Sequence, residues 1–255
     1  MDQSWQKKYK LLIFDSIDST NSEAIRLAKT KPIGDFVIWA KSQTSGRGRA
    51  GKDWQSNIGN LYVSILINNY IPFTVQPQLA FVTALAVYDV VSNLIMENES
   101  GVSKNVKIKW PNDILVNNKK ISGILLESLA LNNKNSFMVV GIGININSHP
   151  TLTQPSTDLS AESAKQQDLE QVLSLLMISF DKYFCLWKKD GFLKIREEWL
   201  GKAARLGELI TIKNNNDEFR GIFENIDING NIELKDDKGQ LSTHLAGEIL
   251  FGISK

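Results

Sequence analysis

Short runs of alternating apolar and polar residues, interrupted by four stretches of helical periodicity, divide the chain into elements. Apolar and β-branched residues predict strands over 11–14, 36–41, 61–67, 106–110, 114–116 and 121–127, with a further strand over 137–147. Asn117 and Asn118 lie between two of these runs and mark a hairpin turn. Asp18, Ser19 and Thr20 precede a helical pattern, and Thr20 with Glu23 has the spacing of a capping box. The longest helix is expected over 76–97, opened by Pro77 and carrying Leu79, Val82, Leu85, Ala86, Val90, Leu94 and Ile95 on its apolar side.

Residues 148–168, rich in Ser, Thr, Pro and Gln, read as a connection. The helix that follows ends near Gly191, and a shorter one continues through 196–200. Cys185 falls within the first of these two helices and reads as a core thiol. Beyond Ala204 the period shortens to strands over 208–212, 219–226, 231–234 and 240–249, separated by Gly- and Asn-rich turns. That tail suits a small barrel stabilised by packing on the larger unit. Mixed strands with a few long helices indicate an α/β or α+β unit.

Composition narrows the functional classes. Lys and Arg number 29 against 28 Asp and Glu, a net charge of +1, so any polyanion site must be local. A single cysteine excludes an intrachain disulfide, and the N-terminal residues MDQSWQKKYK contain no apolar signal segment, which together favour a reducing cytoplasm. No uninterrupted run of 18 apolar residues is present, giving no expectation of a membrane span. His149 and His244 stand apart with no metal-ligand spacing around them.

Three clusters carry candidate chemistry. KSQTSGRGRAGKDW, residues 41–54, joins Gly46, Gly48 and Gly51 to Arg47, Arg49 and Lys52 and ends on Trp54. It is neither a P-loop nor a dinucleotide fingerprint, and it reads either as a basic surface loop or as a lid that closes on an anionic, planar ligand. VKIKWPNDILVNNKKISGILLES, residues 106–128, places Lys109, Asn112, Asp113 and Lys120 around strand boundaries, with Gly123 making room within a strand. VVGIGININ, residues 139–147, supplies Gly141, Gly143 and Asn145, either as a pocket wall or as an accommodation of sheet curvature. Free backbone N–H groups behind Ser19 and Thr20 can meet a polar ligand, or Ser19 and Thr20 can act simply as a cap.

With these stretches in hand, the chain resembles a biotin–protein ligase, also called holocarboxylase synthetase. The matching motifs are DSTN at Asp18 to Asn21, SQTSGRGRAGKDW at 42–54, KWPND at Lys109 to Asp113, KKISGILLE at 119–127 and GIGIN at 141–145, in family order. Ala50 stands where some members carry another arginine. The resemblance implies an α/β (α+β) catalytic domain related to lipoate-attaching enzymes over residues 1–204, and a small C-terminal SH3-like β-barrel over 205–255. It also implies the activity of a biotin–[acetyl-CoA-carboxylase] ligase. Biotin is activated with ATP and Mg²⁺ to biotinyl-5′-AMP, with pyrophosphate released, and is then transferred to a lysine of a biotin carboxyl carrier domain of acetyl-CoA carboxylase or another biotin-dependent carboxylase. Enzymatic and non-enzymatic competitors are a lipoate–protein ligase or octanoyltransferase and an inactive biotin-binding module.

The DSTN motif begins at residue 18, so no N-terminal helix-turn-helix repressor domain is expected, and with it no DNA or membrane partner. A monomer and a homodimer remain equally open. By the same resemblance, Ser19, Thr20, Gln43, Gly46, Arg47, Lys120, Gly123, Gly141 and Gly143 bind biotin, and Arg49, Trp54, Asn112, Lys120 and Asn145 bind the adenylate. Arg47, Arg49, Lys120 and Asp113 are the expected catalytic set, with Trp54 covering adenine and Trp110 serving packing.

Overall fold

The protein is represented by a computed structural model that describes residues 4–30, 33–68, 71–96, 105–132, 135–151, 154–214 and 217–250. Its first strands and helices run β1 (Tyr9–Phe14), α1 (Thr20–Lys29), β2 (Asp35–Ala40), β3 (Leu61–Ile67), α2 (Gln78–Met96), β4 (Val106–Lys109), β5 (Asp113–Val116), β6 (Lys119–Asn132) and β7 (Asn135–Ile144). They are followed by α3 (Leu159–Ser163), α4 (Leu169–Asp190) and α5 (Phe192–Leu200), then β8 (Leu209–Asn214), β9 (Asp217–Ile226), β10 (Ile232–Lys235), β11 (Leu241–His244) and β12 (Glu248–Leu250). Strands β1 to β7 form one sheet in the order β1-β2-β3-β7-β6-β5-β4. Only β1 and β2 are parallel, joined by α1 as the crossover helix, and the other neighbours are antiparallel.

The period of 2 sorts side chains onto two faces of this sheet. Val37 and Trp39 on β2, Leu61, Val63, Ile65 and Ile67 on β3, and Met138, Val140, Ile142 and Ile144 on β7 all enter one hydrophobic core with α2, α4 and α5. The opposite face carries a smaller apolar cluster, in which Ala24 and Ala28 of α1 lie on Phe36, Ile38, Leu66, Phe137 and Val139. Beyond that cluster the second face is polar or bare: Ser64, Gly141, Gly143 and Gly123 replace large apolar residues at sheet positions whose neighbours are fully buried.

Local sequence explains most of the boundaries. Asn117 and Asn118, at φ 50° and 63°, form the two-residue hairpin between β5 and β6. Gly191 caps α4 with its N–H on the Trp187 carbonyl. The first helix starts differently from its capping-box spacing: Ser19 is the cap, accepting from the Ser22 N–H, because its extended backbone faces the open end of the helix. In α2 the first helical residue is Gln78, since the N–H groups of Gln78, Leu79 and Ala80 close tight three-residue turns on Val75, Gln76 and Pro77; Glu97 lies outside the described residues. The 148–168 connection contains α3, whose five residues are too few to produce a periodic signal, capped by Asp158.

Two expectations require correction, those for Cys185 and for the C-terminal barrel. Cys185 is helical but exposed, because α4 buries Phe180, Tyr183 and Phe184 and turns the next position outward. The stretch Gln78–Ile95 has the length and hydropathy of a membrane span, yet 78% of it is buried in the protein, which is how a central core helix also reads. The C-terminal strands form no closed barrel: the sheet runs β11-β10-β9-β8-β12, and its two outermost strands, of four and three residues, stay unpaired with each other among the described residues. The chain crosses from β11 at one edge to β12 beside β8 at the other, and strands this short leave the ladder open.

This open sheet nonetheless joins the main core. Ile210, Ile212, Phe223, Ile226, Ile232, Leu234 and Ile249 belong to the same apolar cluster as the helical layer. Trp110, fully buried, donates its indole N–H to the Gly230 carbonyl at 3.1 Å, and Arg196 of α5 reaches Asn225 at 2.7 Å. The segment around Ala203 bonds to Ile108, covering the open edge of β4.

Candidate active site

Directly paired strand residues share a face, so register alone aligns a row across five strands: Tyr62, Gly143, Gly123, Asp113 and Lys109. Its second and third members, both glycine, have no side chain. The space above them belongs to a cavity of about 610 Å³, a size suited to a small organic ligand, and the indole of Trp54 lies at its floor. A Cβ on Gly143 would come within 2.5 Å of that ring and one on Gly123 within 2.9 Å, so both positions must be glycine for the indole to rest there. The Trp54 indole N–H is buried without a hydrogen-bond partner.

Charged groups gather at one end of the row. Lys120 pairs with Asp113 at 2.8 Å, and its ammonium lies 5.4 Å from the Trp54 ring. Lys109 is 3% exposed, and burial pulls its pKa below the usual lysine value despite the fields of Asp113 and Glu248. Arg49 is lowered by the same cause, opposed by the same two carboxylates, and donates to the Asn112 side-chain oxygen at 3.0 Å. Asn112 in turn donates to the Ile124 carbonyl at 2.6 Å, which fixes its amide across the β5–β6 pair. Asn145 is buried and donates to the Thr157 carbonyl at 3.0 Å.

A hydrogen-bonded shelf forms the other end. The Thr20 N–H and hydroxyl both donate to Gln43 Oε1, at 2.8 and 3.1 Å, and the Gln43 amide donates to Ser56 Oγ at 2.8 Å. Ser64 Oγ lies 2.8 Å from Thr20 Oγ1 and 2.5 Å from Asn21 Oδ1. Gly141 makes room for Asn21, whose Oδ1 would be 2.2 Å from a Cβ at that position. Arg26 grips Asp18 through two hydrogen bonds, holding its carboxyl down to about 2, and Asp18 accepts from the Ser19 N–H.

The basic loop is folded over this cavity as a narrow hairpin. Arg47 and Asp53 pair as an isolated bridge, Gly48 donates to the Lys52 carbonyl at 2.7 Å, and the Trp54 N–H returns to the Gly46 carbonyl at 2.9 Å. Ala50 closes the tip at φ 53°, an unusual conformation for a residue with a Cβ. Arg47 meets Glu127 at 2.9 Å and Lys52 meets Glu248 of β12 at 2.6 Å. Burial pushes the Glu248 carboxyl up, but the hydrogen bond from Lys52 and the fields of Lys109, Lys52 and Lys120 outweigh it, leaving it below the usual value.

Of the residues singled out in the sequence, Ser19, Thr20, Gln43, Arg47, Arg49, Trp54, Asn112, Asp113, Lys120, Gly123, Gly141, Gly143 and Asn145 all line the one cavity. Gly46 does not: it sits behind the wall, where a Cβ would lie 2.4 Å from Ser56 Oγ and the Trp54 carbonyl. The structure adds Asn21, Ser56, Ser64, Glu127 and Glu248 to the arrangement. Asn21 and Glu127 stand at the ends of the DSTN and KKISGILLE stretches, and that position was their only signal; nothing local marked Ser64 or Glu248.

No group of three or more His, Cys, Asp or Glu side chains is arranged to hold a metal among the described residues. Asp113 and Glu248, the carboxylates of the charged end, are each paired with a lysine.

Residues 13–146 match the biotin/lipoate A/B protein ligase family. A biotin–[acetyl-CoA-carboxylase] ligase of Paracoccus denitrificans is 35% identical over 241 residues, covering 92% of this chain and 98% of that protein. The bifunctional ligase/repressor BirA of Bacillus subtilis is 33% identical over 236 residues, covering 90% of this chain and 70% of its own length. Among solved structures, the biotin protein ligase of Aquifex aeolicus in complex with biotin and ATP superposes with a TM-score of 0.78 at 26% identity, covering 94% of this chain and 97% of that one.

Proposed function

We propose a division of labour within the cavity of this chain, which belongs to the biotin/lipoate A/B protein ligase family. The chain is a biotin–protein ligase: it adenylates biotin with ATP and transfers the biotinyl group to a lysine of a carrier protein. The observation that carries the finer reading is the bare Gly143–Gly123 floor between a neutral polar shelf and a cluster of cations.

The shelf of Ser19, Thr20 and Gln43 offers paired donors and acceptors to a neutral head group; Gly141 admits Asn21 to that shelf, and Gly123 and Gly143 give room to an apolar chain once the Trp54 indole lifts. The biotin carboxylate then reaches the cationic end. Its oxygen attacks the α-phosphorus of ATP, forming the mixed anhydride as the bond to pyrophosphate breaks. Lys120 and Arg49 sit where negative charge accumulates on the phosphoryl oxygens, in a site whose burial strengthens them. Mg²⁺ carried in on ATP would supply further neutralisation of its phosphates. Asn112 and Asn145 hold the nucleotide side, and Trp54 lifts from the two glycines to cover adenine.

In the second step the carrier lysine amine attacks the carboxyl carbon and AMP leaves. Asp113, held by Lys120 at 2.8 Å, is placed to orient that amine. The partner is a biotin carboxyl carrier domain, and we read residues 205–255 as a second unit that contributes Glu248 to the mouth of the site.

The test is biotin-dependent ATP–pyrophosphate exchange, followed by transfer to a biotin carboxyl carrier domain, with lipoate as a competing substrate. Exchange with biotin and not with lipoate is expected. Absence of both exchange and transfer from folded protein contradicts the assignment.

A further inference from the structure

Arg47 and Glu127 are the loop and strand residues that the reaction chemistry leaves unexplained. Arg47 is committed to a carboxylate, Glu127 Oε2 at 2.9 Å, instead of being turned toward the Lys120–Asp113 pair. The same oxygen accepts from Asn21 Nδ2 at 2.8 Å. Asn21 belongs to the shelf through Ser64, and Ser64 reaches Thr20 and through it Gln43. One carboxylate therefore ties the 46–54 loop to the shelf residues. Glu127 shares the ligand-side face with Leu125 and Gly123 by the alternation of β6, and it stands opposite Val139, one row beyond the Ser64–Gly141 pair.

We infer that Glu127 is a positioning residue, which clasps the 46–54 loop through Arg47 and couples loop closure to the head-group shelf through Asn21. This rests on the reading that the loop closes over the adenylate. It assigns Arg47 to holding the lid and leaves Arg49 and Lys120 to meet phosphate charge. The glutamate is 24% exposed and the arginine 42%, so the clasp opens readily and its contribution is modest. That suits a lid which must release product.

The test is a double-mutant cycle of wild type, Glu127→Gln, Arg47→Met and the double variant, read in two ways. Amide hydrogen exchange over residues 46–54 is measured in ligand-free protein, and dissociation of biotinyl-5′-AMP is measured from the preformed complex. Glutamine keeps an acceptor for Asn21 but loses the charge that holds Arg47. Each single variant is expected to speed loop exchange and adenylate release about fivefold. The double variant is expected to be no faster than Arg47→Met alone. Wild-type loop exchange in Glu127→Gln, or effects that multiply in full, overturns the inference. If Glu127→Gln does not fold, Arg47→Met at its half-exposed site decides alone, and unchanged loop exchange there overturns it. Failure of wild type to form adenylate contradicts the proposed function, while loop exchange in the ligand-free protein still reports on the clasp.

Discussion

The two faces of the seven-stranded sheet are built from alternate residues of the same strands, yet they do opposite things. On β7, Met138, Val140, Ile142 and Ile144 fill the helical core, while Gly141 and Gly143 between them put no side chain of the strand on the other face, where Asn21 and Trp54 lie against them. The first face excludes everything, since close-packed apolar side chains leave no space for a ligand. The second keeps a cavity because glycines sit opposite each other on β6 and β7. Stability and binding are thus separated at one-residue intervals along one strand.

That separation is broken most severely on the ligand face. Lys120→Ala removes the cation beside Asp113 and is expected to slow biotin-dependent pyrophosphate exchange about 10²- to 10³-fold while far-ultraviolet circular dichroism keeps its wild-type form. Neighbouring positions on β7 then separate the faces directly. Gly143→Val intrudes on the ground occupied by Trp54 and is expected to cut adenylate formation about a hundredfold, with thermal unfolding little changed. Ile144→Ala, one residue away and fully buried in the core, is expected to cost about 2–4 kcal/mol in denaturant unfolding and to leave kcat intact. Equal loss of stability in both variants would remove the distinction between the faces.

The smallest effect lies at the rim. The Asp18 carboxyl is held down to about 2 by Arg26, so its contribution is present above its ordinary value of 3.8 and is lost as pH falls through about 2. Both side chains are nearly half exposed, which limits that contribution to under about 1 kcal/mol. Denaturant unfolding of wild type and Asp18→Asn is expected to differ slightly at pH 7 and to converge toward pH 2.

The apolar face was legible in the chain because period-2 burial writes itself into every strand; the run 61–67 is reproduced residue for residue as β3. The site's glycines and cations were legible as clusters within motifs. What escaped was pairing between distant segments. Glu127 acquires a role only when Arg47, 80 residues away in sequence, folds onto it, and Glu248 only when β12 crosses back to β8. Barrel closure failed for a related reason: the run read as one strand over 240–249 divides into β11 and β12, which lie on opposite edges of the sheet. Cys185 was misjudged because one step around a helix exchanges a buried position for an exposed one.

The most direct test is a crystal structure of the protein with biotinyl-5′-AMP. The biotinyl chain is expected over Gly123 and Gly143, the acyl phosphate beside Lys120 and Arg49, and the Trp54 indole lifted from the glycines onto adenine. An intermediate bound away from that floor, with Trp54 still seated on both glycines, would contradict the account.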